Sequence, residues 1–474
     1  MLSVIAIVVL CVYLVLIVNA ILAVMLSGGQ PSRTIAWILF LFMFPVAGLL
    51  FYYLLGQNIR GKRFYNRRKI KRIVEKSNYV GVLPHCSIPG IVPHIASLIH
   101  FFKSGCESHL LEGNNLRYFT WGKDFFDHML KDISEAQHHV HLEFFIIEDD
   151  TVGKQLRQAL VAAAERGVNV RLIYDEIGCW AISQHYFSTM RQAGVEVAAF
   201  MPIYFKYLSH RVNYRNHRKL VVIDGRIGYL GGMNIAERYV PNNPDEWLDM
   251  HVRMEGFAVY GMQYLFLEDW YVATEQTVSD TSFYPHDAGA KHGKAVQVIG
   301  TTPFDDWAIM QMGYNRLFQN ARSNICIQTP YFMPPASVLE ALQTATMCGV
   351  KVSIMVPAVP DSVWMKRMNE SYYGDILKAG VELYLYEPGM LHAKTMMVDD
   401  CILSVGSINL DFRSLGQTFE DTAIIYDAEE TLRVKALFDA AKENCRHLTM
   451  AEWKKRPLKR RLIESLMRIF SPLC

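Results

Sequence analysis

The sequence predicts two duplicated α/β domains, with mixed, largely parallel sheets flanked by helices and pseudo-two-fold symmetry, behind an apolar N-terminal hairpin. Three observations carry that prediction. Charged side chains are almost confined to the chain beyond residue 57, one strand–helix–strand pattern occurs twice at a shared offset, and the same polar constellation closes each copy. The chain has 474 residues, 48 Lys and Arg against 46 Asp and Glu, and a formal net charge of +2. That length corresponds to about three units of ~150 residues. With 51% hydrophobic and 20% charged residues the chain is neither disordered nor low-complexity. The balanced charge argues against a nucleic-acid protein with a global basic excess, and no nucleic-acid partner is assigned.

The first element is apolar. Residues 1–57 hold one charged side chain, Arg33. Residues 4–26 are almost unbroken Val, Ile, Leu, Ala and Met, and a second apolar run covers about 35–55. Some 23 helical residues extend roughly 35 Å, enough to cross a bilayer, so two transmembrane helices are expected, with Pro45 tolerated inside the second. A cleaved signal peptide fits less well, because the run is long and lacks a basic flank. The eight basic residues from Arg60 to Arg72 then place the body on the cytoplasmic side of the membrane, as a multi-pass protein. The same basic run suits an anionic membrane surface. Nine scattered cysteines without a CxxC pair fit a reducing compartment. The His138-His139-Val140-His141 cluster has no Cys or carboxylate partner at ligand spacing, and no metal is assigned.

The repeat follows. In the first copy a strand over 140–147, a helix over 156–166 ending at Gly167 and a strand over 168–173 form a βαβ unit. The second copy has a strand over 325–328, a helix over 338–347 ending at Gly349 and a strand over 350–356. The offset is 185 residues at Ala136/Ala321 and 182 at Gly167/Gly349, which indicates duplication. The expected organisation is a hairpin over 1–57, a basic connector over 58–108, domains over 109–275 and 290–450 joined by a polar linker over 276–289, and a tail over 451–474.

Each copy closes on one constellation. The first reads His217-x-Lys219-x4-Asp224-x6-Gly231-Gly232-x-Asn234, and the second His392-x-Lys394-x4-Asp399-x6-Gly406-Ser407-x-Asn409. A single copy is compatible with a hairpin bearing a surface His and Lys, but two copies at corresponding places are beyond coincidence. His and Lys two apart on a strand leave the same face. Asp224-Gly225 is a hairpin turn signal, and Asp399-Asp400 stands at the same point. Asn234 and Asn409 then return toward the His/Lys face. A His, a Lys and an amide together make a donor cluster suited to a phosphate oxyanion.

The doubled HxKxxxxD motif resembles the phospholipase D superfamily. The N-terminal apolar pair, the TPYF segment at 329–332, the GMLHAK run at 389–394 and the basic tail resemble its bacterial cardiolipin synthase branch, which implies that the membrane is the bacterial inner membrane. The resemblance implies a catalytic set of His217, Lys219, Asp224, His392, Lys394 and Asp399. It also implies a two-step phosphatidyl transfer through a phosphatidyl-histidine, with His217 as nucleophile and His392 as acid and base. Lys219, Lys394, Asn234 and Asn409 would bind the phosphoryl oxygens, and Ser407, facing Gly232 in the other copy, a hydroxyl contact on one side only. Orienting carboxylates are implied downstream of the opposite motif, pairing His217 with Glu420 and His392 with Asp249. The two motif aspartates read as turn residues near the site. The implied reaction joins two phosphatidylglycerol molecules into cardiolipin and glycerol without cofactor or metal; a hydrolase of the same fold, or another alcohol acceptor, is the alternative. No P-loop or dinucleotide fingerprint occurs.

Two segments bear on lipid access. Trp453–Cys474 interleaves seven basic residues with Leu, Ile, Met and Phe, which suits an interfacial amphipathic helix or equally a final helix packed on the body. Residues 361–374 hold Trp364, Met365 and Met368, in a loop that dips into lipid or in the core.

Overall fold

The structure, a computed structural model, describes residues 2–26, 31–52, 83, 93–202, 214–289 and 293–473. They fall into two compact units, one of Met1–Phe64 with Pro202–Tyr214 and one of Tyr65–Met201 with Arg215–Cys474.

The smaller unit contains α1 (Leu2–Leu26), α2 (Pro31–Met43) and α3 (Pro45–Phe51), packed through Ala20, Val24, Leu41, Leu49 and Tyr52. The expected membrane-spanning pair is corrected here: among the described residues no helix is long and apolar enough to cross a membrane. In the second run the reason is Pro45, which lacks an amide proton and opens a new helix, leaving pieces of 13 and 7 residues, about 20 and 10 Å against ~30 Å of hydrocarbon. The multi-pass inner-membrane placement and the cytoplasmic orientation built on that pair fall with it. The basic run over 60–72 lies outside the described residues.

The larger unit is built on one continuous sheet of fifteen strands. Its first half supplies β1 (Leu110–Phe119), β2 (His139–Phe144), β3 (Asn169–Asp175), β4 (Glu196–Phe200), β5 (Lys219–Ile223), β6 (Ile227–Gly231) and β7 (His251–Glu255). The second supplies β8 (Lys294–Thr301), β9 (Asn324–Gln328), β10 (Lys351–Pro357), β11 (Glu382–Tyr386), β12 (Thr395–Val398), β13 (Ile402–Gly406), β14 (Glu420–Tyr426) and β15 (Cys445–Leu448). The spatial order is β4-β3-β2-β5-β6-β7-β1-β8-β14-β13-β12-β9-β10-β11-β15. Read outward from the β1–β8 pair, both halves repeat one sequence of strands, and β15 is an addition at one edge.

The sheet is mixed, but not largely parallel as expected. Parallel pairing is confined to β2-β3-β4 and β9-β10-β11, where helical crossovers return the chain. The motif hairpins β5-β6 and β12-β13, and the strands that join the halves, pair antiparallel.

Helices cover the sheet. After α4 (Pro93–Cys106), the first half carries α5 (Gly122–Glu135), α6 (Thr151–Glu165), α7 (Gln184–Gln192) and α8 (Ala258–Thr274). The second carries α9 (Ile309–Asn320), α10 (Ala336–Met347), α11 (Val363–Ala379) and α12 (Ala428–Glu443), followed by α13 (Met450–Lys454) and α14 (Leu458–Phe470). Asp150 starts α6 by accepting from the Gly153 amide. Gly167 and Gly349 follow α6 and α10 with φ near +90°, which permits the chain reversal into β3 and β10. Each half has its own apolar core, one around Phe125, Leu142, Leu172 and Tyr229 and one around Leu342, Ile354, Leu383 and Ile424.

Candidate active site

The two motifs meet at the carboxyl ends of the parallel strands, where open α/β sheets bind ligands. Lys219 opens β5 and pairs with Phe144 at the end of β2, and Thr395, next to Lys394, pairs with Gln328 at the end of β9. Both histidines lie just before the strands, in extended segments stitched to the other half. The His217 amide donates to the Phe419 carbonyl, and the His392 amide to the Leu248 carbonyl.

These crossings bring each imidazole to a carboxylate from the opposite half. His217 Nδ1 lies 3.0 Å from Glu420 Oε2, and His392 Nδ1 lies 2.7 Å from Asp249 Oδ2. Lys219 Nζ donates to the His217 carbonyl at 2.6 Å. Lys394 Nζ reaches the His392 carbonyl and lies 2.9 Å from His392 Nδ1. The Phe145 ring stands 4.9 Å from His217, and Trp247 and Tyr239 flank His392 at 5.7 and 5.8 Å.

Burial governs the charges. It pushes both imidazoles down to about 4; Glu420 and Asp249 oppose the fall, and the lysine ammoniums add to it. Burial also lowers Lys219 to about 7 and Lys394 to about 8. Burial would raise Glu420 and Asp249, but His217 with Lys219 outweighs it at Glu420, and Lys394 with His392 at Asp249, so both carboxyls lie below their usual range. The field of Lys394 reaches His217 and that of Lys219 reaches His392, so the two buried clusters act on one another.

The other expected residues divide. Ser407 is buried, and its hydroxyl donates to Glu420 Oε2 at 2.5 Å and accepts from the Asp421 amide at 3.0 Å. Gly232, its counterpart, has no room for a side chain, because a Cβ there would stand 2.1 Å from Asp249 Oδ1. Asn234 donates to the Tyr239 hydroxyl at 2.8 Å and accepts from the Ile146 amide at 3.2 Å. The Asn409 carboxamide oxygen is buried and takes no hydrogen bond among the described residues. Asp224 and Asp399 are not at the site. They occupy the far turns of the two hairpins, about 17 Å of strand from the lysines. There Asp224 accepts from the Gln137, His138 and His139 amides, and Asp399 from those of Arg322, Ser323 and Asn324. Positive φ at Asp224 and Gly225, and at Asp399 and Asp400, marks both turns as the primed type that suits a two-residue hairpin.

A buried polar layer beneath the histidines escaped the sequence reading. Arg218 is 1% exposed, donates to Asp269 Oδ2 at 2.6 Å and to the Glu420 carbonyl at 3.2 Å, and so ties the site to α8. The Asn216 amide group donates to Asp269 and Glu143. The available signal was an arginine between the motif His and Lys, one acid (Glu143) in β2 and the adjacent Glu268 and Asp269 inside the apolar run of α8. Among the described residues one acidic grouping has metal-ligand spacing, Asp427 with Glu429 and Glu430, and the Lys294 ammonium already sits on Asp427 and Glu429.

A family model described as cardiolipin synthase, phospholipase D-like domain, matches residues 129–253 and 314–442. A second, described as phospholipase D-nuclease N-terminal, matches residues 2–57. The chain is 37% identical over 466 residues to the major cardiolipin synthase of Bacillus subtilis, covering 96% of this chain and 97% of the relative. The chain belongs to the bacterial cardiolipin synthases of the phospholipase D superfamily. It is also 34% identical to the cardiolipin synthase of Oceanobacillus iheyensis, with 96% of each chain covered. A phosphatidylserine synthase crystal structure from Haemophilus influenzae matches with a TM-score of 0.57 and 14% identity, over 85% of this chain and 98% of that one, a likeness of fold. Membership of the family makes the chain an enzyme, a phosphatidyltransferase with phospholipids as substrate and product.

Proposed function

We propose that the cleft transfers a phosphatidyl group between two phosphatidylglycerol molecules, giving cardiolipin and free glycerol. The carrying observation is the crossed pair of contacts that holds Nδ1 of each imidazole on a carboxylate of the other half and leaves both Nε2 atoms for chemistry. In the first step Nε2 of His217 attacks phosphorus, the bond to the headgroup glycerol breaks, and His392 delivers a proton to the departing oxygen. In the second, His392 takes the proton from a primary hydroxyl of the incoming phosphatidylglycerol, whose oxygen displaces His217 from phosphorus. One phosphodiester replaces another, so the exchange is close to isoenergetic.

The division of roles is supported by an asymmetry. An ammonium lies beside Nδ1 of His392, whereas Lys219 meets His217 only at its carbonyl. Asp249 accepts from Nδ1–H of His392, so the proton a leaving alkoxide needs sits on Nε2 of the imidazolium, and the adjacent ammonium makes that imidazolium the stronger acid. Burial keeps both imidazoles neutral in the empty cleft, and an entering phosphodiester anion offsets the lysine field and raises His392 toward its acid form. Lys219, Lys394 and Asn409 hold the phosphoryl oxygens in this scheme, while Ser407 orients Glu420.

The test is labelled phosphatidylglycerol supplied to the purified full chain, with lipids and water-soluble products separated. Cardiolipin and glycerol in equal amounts support the proposal, and phosphatidic acid without cardiolipin refutes it in favour of hydrolysis. His217→Ala should abolish turnover, and His392→Asn should accumulate a lipid-labelled protein adduct. Normal turnover by His217→Ala would refute the nucleophile assignment.

A further inference from the structure

We propose that the outward apolar stripe of α14, with a rim of exposed tryptophans at the site end of the strands, is a lipid-adsorbing face that seats the enzyme on the anionic phospholipid layer holding its substrate. The inference rests on the phosphatidyl-transfer reading for that substrate and adds the surface that delivers it.

The α14 helix is seated the unusual way round. Its polar side faces the protein: Glu464 is 2% exposed and accepts from Arg456 Nε at 2.8 Å and Arg460 Nε at 3.1 Å. Arg460 continues to Glu370 at 2.9 Å, and Arg468 to Asp375 at 2.7 Å, both on α11. Leu458, Leu462, Leu466 and Ile469, a stripe at i, i+4, i+8 and i+11, are left 53–70% exposed. A helix that merely packed on the body would turn those leucines inward. Lys454, Lys455, Lys459 and Arg461 are exposed around it and form no ion pair among the described residues, which complements a negative surface.

The tryptophans add position. Trp180, Trp307 and Trp364 are each more than 60% exposed. Each sits on a segment that leaves the site end of a strand. Trp180 follows β3, whose last residue Asp175 accepts from the Asn216 amide beside His217. Trp307 follows β8, whose Thr301 pairs with Glu420. Trp364 follows β10, past Asp361, whose charge acts on Lys394. Val363 is exposed beside Trp364, whereas Met368, one turn on, is buried in the core, so the lip of this segment faces outward and its body packs. Amphipathic tryptophan rings favour the headgroup level of a bilayer. The arrangement describes adsorption to one leaflet.

The experiment compares the full chain with the Leu462→Glu/Leu466→Glu double variant, on phosphatidylglycerol vesicles and on the same lipid dispersed in detergent. Activity on vesicles should fall at least tenfold, with detergent-dispersed activity held within twofold. Equal activity of variant and parent on vesicles overturns the proposal. So does a concentration-dependent dimer of the parent that the variant lacks, without a vesicle effect, which would assign the stripe to a second copy. A readout that does not depend on tolerance of the charges is fluorescence quenching by vesicles with brominated acyl chains. The parent should be quenched and Trp364→Phe measurably less so, and unchanged quenching counts against the rim. Quenching by a protein that forms no cardiolipin in either lipid form would retain the surface and refute the proposed reaction.

Discussion

Aligning the two motifs suggests that Gly232→Ser is harmless, since it only makes the first copy match the second. The structure predicts the opposite. A Cβ at residue 232 would stand 2.1 Å from Asp249 Oδ1 and 2.8 Å from Asp249 Cγ. A comfortable carbon–oxygen contact is ~3.3 Å, so the carboxylate must retreat by about 1.2 Å. Asp249 is fully buried and held by the Met250 amide at 2.7 Å, so it has little freedom to retreat without leaving His392 Nδ1, now at 2.7 Å. Loss of a charge-assisted hydrogen bond costs about 1.5–3 kcal/mol, and a misplacement of ~1 Å in a catalytic array costs about 100-fold. We expect kcat for cardiolipin formation to fall about 100-fold or more, with a small change in KM. Ser407→Gly, the mirror substitution, removes one donor from Glu420, which retains His217 and Thr418. It should cost about 1 kcal/mol, or roughly 5- to 10-fold. The assay is initial rate on detergent-dispersed phosphatidylglycerol, with thermal melting to confirm folding. A folded Gly232→Ser enzyme with more than a third of parental kcat would refute the geometric argument.

Glu420→Gln should lower kcat by about 1000-fold or more while leaving the melting temperature within a few degrees, because the amide fills the same space but cannot stabilise an imidazolium; near-parental kcat would show that the carboxylate is not used. Asp224→Ala removes the acceptor of three amides at a turn whose φ of 53° favours Asp over Ala. It should destabilise the fold by about 2–3 kcal/mol in denaturant titration, with kcat per folded molecule altered only a few-fold. Stability should also track pH. Burial holds folded His217 and His392 at about 4 and His251 at about 3, against ~6.5 when unfolded. Below pH ~6.5 the unfolded chain therefore binds protons that the native state refuses. Stability should be full above pH 7 and decline toward pH 4, by on the order of 3 kcal/mol per imidazole at the limit. A melting temperature unchanged between pH 7 and 5 would contradict this.

The site was more legible than its surroundings. The duplicated spacing located His217 with Lys219 and His392 with Lys394, whereas Asp249 and Glu420 came from the family resemblance and not from the spacing itself. What could not be read depends on which groups come together in space. The Gly232/Ser407 difference looked like a substrate contact, but it is a packing difference, since one carboxylate fills the volume that the other leaves to a hydroxyl. The motif aspartates follow the lysines closely in sequence, yet five residues of extended chain carry them to the other end of the sheet. Strand direction was misjudged because a βαβ signal is strong and local, whereas the hairpin strands that outnumber it are short and nearly uniform in their apolar character. Pro45, expected to be tolerated inside the second apolar run, instead divides it into two helices.

The crossed supply of carboxylates has an evolutionary consequence. After the ancestral unit doubled, neither copy was free to decay into a spacer. A half that lost its own histidine would still be needed for the acid that steadies the ring of its twin. Such a chain resists the usual fate of duplicates, in which one partner keeps the work and the other drifts. It also cannot be split by halving the gene unless the fragments find each other again.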